Sequence, residues 1–185
     1  RAYVSYAGLH GFRVRLGKMK EPYSLEYQTS SKKLATIERS LMTTAFAPGS
    51  NYGLQLYNNK KDYTWALGLF QEEEEGDSAN AGNTQAITSR ITYALVNEEH
   101  QLLHVGASIS LRDLKGQGLK YKERGEVNSA QNIIRSASFE ADSLNLLQVE
   151  AAWSYRSMRL QGEAAVASIE QVDGNPWQYS GFYLQ

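Results

Sequence analysis

The sequence contains no cysteine, which excludes a disulfide scaffold, a thiolate metal site and a cysteine nucleophile. Only three of its 185 residues are proline, so few segments are interrupted by a missing backbone donor. No apolar run approaches the 18 or more residues that a spanning helix requires, and this excludes helical membrane proteins. There is no excess of either charge: 19 lysines and arginines face 20 aspartates and glutamates, leaving no electrostatic footprint for nucleic acid. No secretory signal opens the chain, because Arg1 leads directly into "AYVSYAG"; "WQYSGFYLQ" at the other end also stops inside a strand-like pattern. Both ends are therefore expected to be cuts in a longer protein.

What is present is tyrosine (12), glycine (15) and alternation by two. Phe12, Val14 and Leu16 oppose Arg13, Arg15 and Gly17. Tyr63, Trp65, Leu67 and Leu69 oppose Thr64, Ala66 and Gly68. Ile87, Ile91, Tyr93 and Leu95 oppose Thr88, Arg90 and Thr92, and Leu103, Val105, Ala107, Ile109 and Leu111 oppose His104, Gly106, Ser108, Ser110 and Arg112. Val149, Ala151, Trp153 and Tyr155 oppose Gln148, Glu150, Ser154 and Arg156. Each segment has one greasy and one polar face, and the polar faces carry Glu150 and Glu163 as well as cations, so part of that charge is expected in cross-strand pairs.

Turn-like stretches at 58–62, 72–83, 97–101 and 113–118 separate the strands, with short and long connections roughly alternating. Lys20 to Ser50 is too long for a hairpin turn. A soluble β-sandwich, for instance a carbohydrate-binding module using its aromatic residues, and a membrane β-barrel both give half-greasy strands. Segments of about 9 to 12 residues, longer than the usual soluble strand, with aromatic residues near the ends of their apolar faces favour the barrel.

The stretch "GKMKEPYSLEYQTSSKKLATIERSLMTTAFAPGSNYGLQLY", Gly17 to Tyr57, resembles the phosphate-selective porin O and P family of Gram-negative outer membranes. The likeness lies in a glycine-x-x-lysine-x-proline-tyrosine opening, a Thr-Ser-Ser step, a Glu-Arg pair and an Ala-Pro-Gly turn, in that order. It continues through "LLHVGASISLRD", "LKYKERGEV", "LQGEAAVASIE" and "YSGFYLQ", so it covers essentially the whole chain. The resemblance implies an all-β, transmembrane, antiparallel up-and-down barrel of 16 strands that assembles as a homotrimer. An inward-folded loop would form the constriction of a passive channel for anions such as phosphate or polyphosphate. At about 20 residues per strand with its connection, this chain supplies eight or nine strands, about half of such a barrel. The expected surroundings are outer-membrane lipid and lipopolysaccharide; no cofactor, metal or nucleic acid is implied, and no nucleophile elbow or other enzyme motif occurs.

Two groups of residues are candidates for handling the anion. Lys120, Lys122 and Arg124 in "GLKYKERGEV" share one side of an extended ribbon, about 7 Å apart, where each pair repels by about 0.6 kcal/mol in water. A lumenal row of cations lowers that repulsion whenever an anion occupies it, and the resemblance places an arginine ladder here. The plainer reading is an exposed basic edge. In "TSSKKLATIER" the resemblance assigns Ser30, Ser31 and Arg39 to the narrow part of the pore, hydroxyls and a guanidinium fork replacing water around a phosphate. The plainer reading has the serines turn the loop and Arg39 pair with Glu38 or Glu26. Tyr27 stands about where phosphate-binding members carry a lysine, and this departure removes a full charge and predicts weaker phosphate selectivity.

Overall fold

A computed structural model describes residues 1–72, 84–119, 122–124, 132–135 and 139–185, the side chains of 117–139 excepted. The strands are β1 (Ala2–Tyr6), β2 (Arg13–Lys20), β3 (Ser50–Asn59), β4 (Tyr63–Gln71), β5 (Gln85–Glu98), β6 (Gln101–Leu119), β7 (Lys122–Arg124), β8 (Asn132–Arg135), β9 (Phe139–Tyr155), β10 (Met158–Gln171) and β11 (Trp177–Leu184). Nine of them form one antiparallel sheet in the order β1-β2-β3-β4-β5-β6-β9-β10-β11, and β7 pairs with β8 separately. The order follows the chain, so this is an up-and-down meander with β1 and β11 at its open edges. Among the described residues no second large sheet stacks on the first, as a sandwich would require. No described helix is long and apolar enough to cross a membrane, which says nothing of crossing by strands.

Connections at one rim are tight: residues 60–62, 99–100 and 156–157 join β3 to β4, β5 to β6 and β9 to β10. The longer connection 21–49 leaves β2 at the opposite rim. The aromatic residues expected at strand ends gather at the tight rim, where Tyr63 pairs across to Tyr93 and Trp153 stacks on Tyr155 at 6.2 Å between ring centres.

The two faces are reversed relative to a protein folded around a dry core. On one side Leu16 (62%), Leu69 (56%), Ile91 (60%) and Val149 (53%) are exposed. On the other, Thr88 and Ser110 (both 0%) and Gln148 (1%) are buried, with Arg112, Glu150 and Glu163 beside them. At about 25 cal/mol per Å² of apolar surface, so continuous a greasy face in water is strongly unfavourable, which requires an apolar surrounding.

The stretch 113–118 is not the turn that "DLKGQG" suggests. β6 runs on through it to Leu119 with a bulge: Lys115 (φ 51) and Gly116 (φ 75) take the extra residues, and the Asp113 carboxylate accepts from the Lys115 N–H at 3.2 Å. Pairing with β9 then resumes at Gln117 opposite Ala141. Turn residues here bend a long strand instead of ending it. Gly17 has a physical reason within its motif: at φ 129 it lies so close to β1 that a Cβ would collide with the Ala2 carbonyl oxygen.

Residues 21–49 carry α1 (Leu25–Gln28), a 3₁₀ turn at Ser31–Lys33 and α2 (Leu41–Phe46). The segment packs on the polar-sided face, where Tyr23, Met42 and Phe46 join Leu114, Leu144, Leu146, Ala165 and Ile169 in the main buried cluster. Its path shows that the sheet is curved. From β2 to β10 a flat sheet spans six strand spacings, about 29 Å. The chain from Lys20 to Leu25 reaches about 18 Å at full extension, yet the Leu25 N–H donates to Glu163 on β10 at 3.0 Å. Only a concave face brings those strands within reach.

Candidate functional site

Two carboxylates pin the inward segment to the wall. Glu21, fully buried, accepts from Asn51 on β3 at 2.7 Å, from the Thr88 hydroxyl on β5, and from Arg112 on β6 at 3.0 and 3.1 Å. Arg112 also reaches Glu72 at 2.8 Å. Glu163 works in the opposite direction, from wall to segment. Its oxygens accept from the backbone N–H groups of Leu25 (3.0 Å) and Glu26 (2.7 Å), from Gln148 (2.5 Å) and from the Tyr183 hydroxyl (2.6 Å). A buried carboxylate is tolerable here because each oxygen receives two donors.

The segment is also tied to itself. The Ser24 hydroxyl accepts from Tyr27 N–H at 3.1 Å and caps α1; Ser40 caps α2 through Thr43 N–H at 3.2 Å. One Glu26 oxygen accepts from the Ser40 N–H (3.0 Å) and hydroxyl (2.8 Å), while the other is buried with no hydrogen-bond partner among the described residues. Arg39 does not use the Glu26 carboxylate in these contacts. It donates to the backbone carbonyls of Glu26 (3.2 Å) and Thr29 (2.9 Å), bracing the end of α1. Ser30 precedes and Ser31 opens the 3₁₀ turn, both exposed, as are Lys32 and Lys33.

Tyr27 is the meeting point of two cations. The Lys20 ammonium lies 4.1 Å from the ring centre and donates to the Tyr27 carbonyl, and the Arg39 guanidinium lies 5.8 Å from the same ring. Two positive charges thus converge on the ring of Tyr27. Burial pushes the Tyr27 phenol above its ordinary pKa, against the opposing effects of a hydrogen bond to Ser50 and of nearby positive charge, so the ring is neutral.

Beside the segment, the wall charges are largely paired. Arg90 on β5 grips Glu150 on β9 through both its Nε, at 3.2 Å, and a terminal nitrogen; His104 contacts the same carboxylate at 2.7 Å. Gln148 lies 3.4 Å from Glu150 and links it to Glu163. His104 is therefore part of a hydrogen-bonded wall cluster. Lys120 lies outside the described residues, and of Lys122 and Arg124 only the backbone is described, on β7, where Lys122 stands opposite Arg135.

Sequence reasoning singled out the segment and Arg39 and counted Glu163 among the acids of the polar faces, but it missed Glu21, Lys20 and Tyr183 and gave Glu163 no part in holding the segment. The nearest signal was two acids, Glu21 and Glu26, within a segment too long for a turn; nothing in the spacing names their partners on remote strands.

A curved antiparallel sheet with its apolar face outward, its polar face inward and a long connection pinned across the polar side is the wall of a porin-type barrel. The chain belongs to the phosphate-selective porin O and P family, whose model matches residues 1–185. No individual curated protein matches it. The family is one of channels, not of enzymes.

Proposed function

We propose that this chain forms part of the wall and the constriction of an outer-membrane porin that passes phosphate and other small anions by passive diffusion. The observation that carries the reading is the sidedness of the sheet together with the segment pinned across its polar face, in a chain belonging to this family. Outward leucines, isoleucines and valines meet lipid; inward polar groups meet water in the lumen. Segment 21–49 narrows the passage, and the Lys20, Tyr27 and Arg39 cluster offers positive charge there with Ser30 and Ser31 alongside. Lysine attracts an anion as a point charge, and arginine presents a fork suited to phosphate.

Lys120, Lys122 and Arg124 feed that constriction as a row of cations on the long-connection side. Its support is positional: β7, which carries Lys122 and Arg124, lies beside α2 in the inward segment. The assembly is a homotrimer set in outer-membrane lipid and lipopolysaccharide. The test is the intact porin in planar bilayers with all three row residues replaced by glutamine. Anion preference, read as the reversal potential across a salt gradient, is expected to fall together with chloride and phosphate conductance. Unchanged reversal potentials would remove the row from the mechanism.

A further inference from the structure

A second cationic site lies on the wall, apart from the Tyr27 cluster and from the basic row. Arg15 on β2 is clamped between two tyrosine rings, its guanidinium carbon 4.5 Å from the centre of Tyr3 and 4.4 Å from that of Tyr57. The Tyr57 hydroxyl is fixed by Ser5 at 3.1 Å, and one terminal nitrogen of Arg15 donates to Gln55 at 3.3 Å. Arg90 and Arg112 have carboxylate partners; Arg15 has none among the described residues. Aromatic faces hold a cation without neutralising it, so Arg15 keeps its charge and a fixed orientation.

The register opens a hollow beside this group. Tyr57, Ala66 and Arg90 lie in one row across β3, β4 and β5, and the small Ala66 between two long side chains leaves a gap of about 160 Å³. At about 30 Å³ per water that is room for about five waters, or for a small oxyanion with part of its hydration. Arg15, Gln55, Thr64 and Arg90 line it from the wall, and Gln28 lines it from the inward segment. The rim is thus cationic and rich in amide and hydroxyl groups.

We propose that this hollow is an oxyanion subsite in which the tyrosine-clamped Arg15 binds phosphate, or an anion of like size, alongside the constriction. It rests on the reading of the chain as an anion channel. Gln28 makes the subsite depend on the segment being seated, since one wall of the hollow comes from α1.

The experiment is inhibition of chloride current by inorganic phosphate through the intact porin in planar bilayers, comparing native protein with Arg15→Gln, Arg15→Lys and Tyr3→Leu. Loss of a charge-assisted pair at a partly exposed site predicts a rise of at least about fivefold in half-inhibiting phosphate for Arg15→Gln. Arg15→Lys, which keeps the charge and loses the fork, and Tyr3→Leu, which loosens the clamp, are expected to rise less, by about twofold to threefold. The two lesser variants carry the test if Arg15→Gln does not fold. Phosphate inhibition that is the same in all folded variants as in native protein overturns the subsite. So does an anion-selective native channel that phosphate does not inhibit, and in that case the channel reading stands. A native channel without anion preference overturns both.

Discussion

Arg112 and Glu21 meet through a single guanidinium nitrogen that lies 3.0 and 3.1 Å from the two carboxylate oxygens, and both side chains are almost wholly shielded from solvent. Glu21 belongs to the inward segment and Arg112 to β6, so this contact fixes where the segment leaves the wall. Breaking a buried pair by removing one partner costs about 3–5 kcal/mol, because the other charge is left uncompensated. Glu72 remains beside Arg112, so the lower end of that range applies to Glu21→Gln. The expected outcome is a clear drop in the temperature at which folded barrel is lost in a heating series on detergent gels. The double variant Glu21→Gln/Arg112→Met should lose less than the sum of the losses of Glu21→Gln and Arg112→Met, and additive losses would show that the pair is not coupled.

That contact also marks the limit of what the sequence discloses. The partners are 91 residues apart, and Glu26 is 137 residues from the carboxylate that receives its N–H. The strands were legible because a side-chain period of two is written locally, and because a barrel wall with its apolar face outward keeps one face of each strand uniform. The path of residues 21–49 was legible only as a connection too long to be a turn. "DLKGQG" misled because a bulge and a turn use the same residue types, and only the neighbouring strand decides between them. For Arg39 the acids nearby in sequence offered an ion pair as the plainer reading, and the fold adds backbone carbonyls at the end of a one-turn helix, which no local pattern names.

Glu163→Gln tests the second pin. Each carboxylate oxygen accepts two hydrogen bonds, and an amide in the same place keeps one oxygen and turns an NH₂ group toward the other two donors. Whichever way the amide faces, one backbone N–H of α1 and one side-chain donor lose their acceptor, at about 1–3 kcal/mol for each group left buried and unsatisfied. Faster hydrogen exchange at the Leu25 or Glu26 amide is expected, with larger fluctuations of open-channel current. Unchanged exchange at both amides would mean that Glu163 does not hold the segment.

Sidedness is tested by charge on the outward face. Val149 is exposed on β9 between Gln148 and Glu150, both buried on the other side. An arginine near the middle of a lipid-facing band costs about 2–4 kcal/mol. Val149→Arg is expected to reduce the fraction of barrel folded into vesicles at a given urea concentration, with the loss shrinking when the same change is made at Leu160, exposed on the same face opposite Trp153 and near the tight rim. Equal effects at the two positions would contradict a lipid-facing band centred on Val149.

Tyr27→Lys tests the constriction. The ring holds Lys20 and Arg39 close without adding charge, and the exchange replaces it with a third cation among two that no longer share an aromatic face. Mutual repulsion between ammonium and guanidinium groups a few ångströms apart destabilises the empty site, and an entering anion relieves it. Phosphate, with more charge per ion than chloride, gains more from that relief. The expected result is stronger phosphate inhibition of chloride current, by about fivefold if the added interaction is about 1 kcal/mol, together with lower phosphate throughput at saturation, because a more tightly held anion leaves more slowly. Chloride conductance and phosphate inhibition that both match the native channel would place Tyr27 away from the path of the anion.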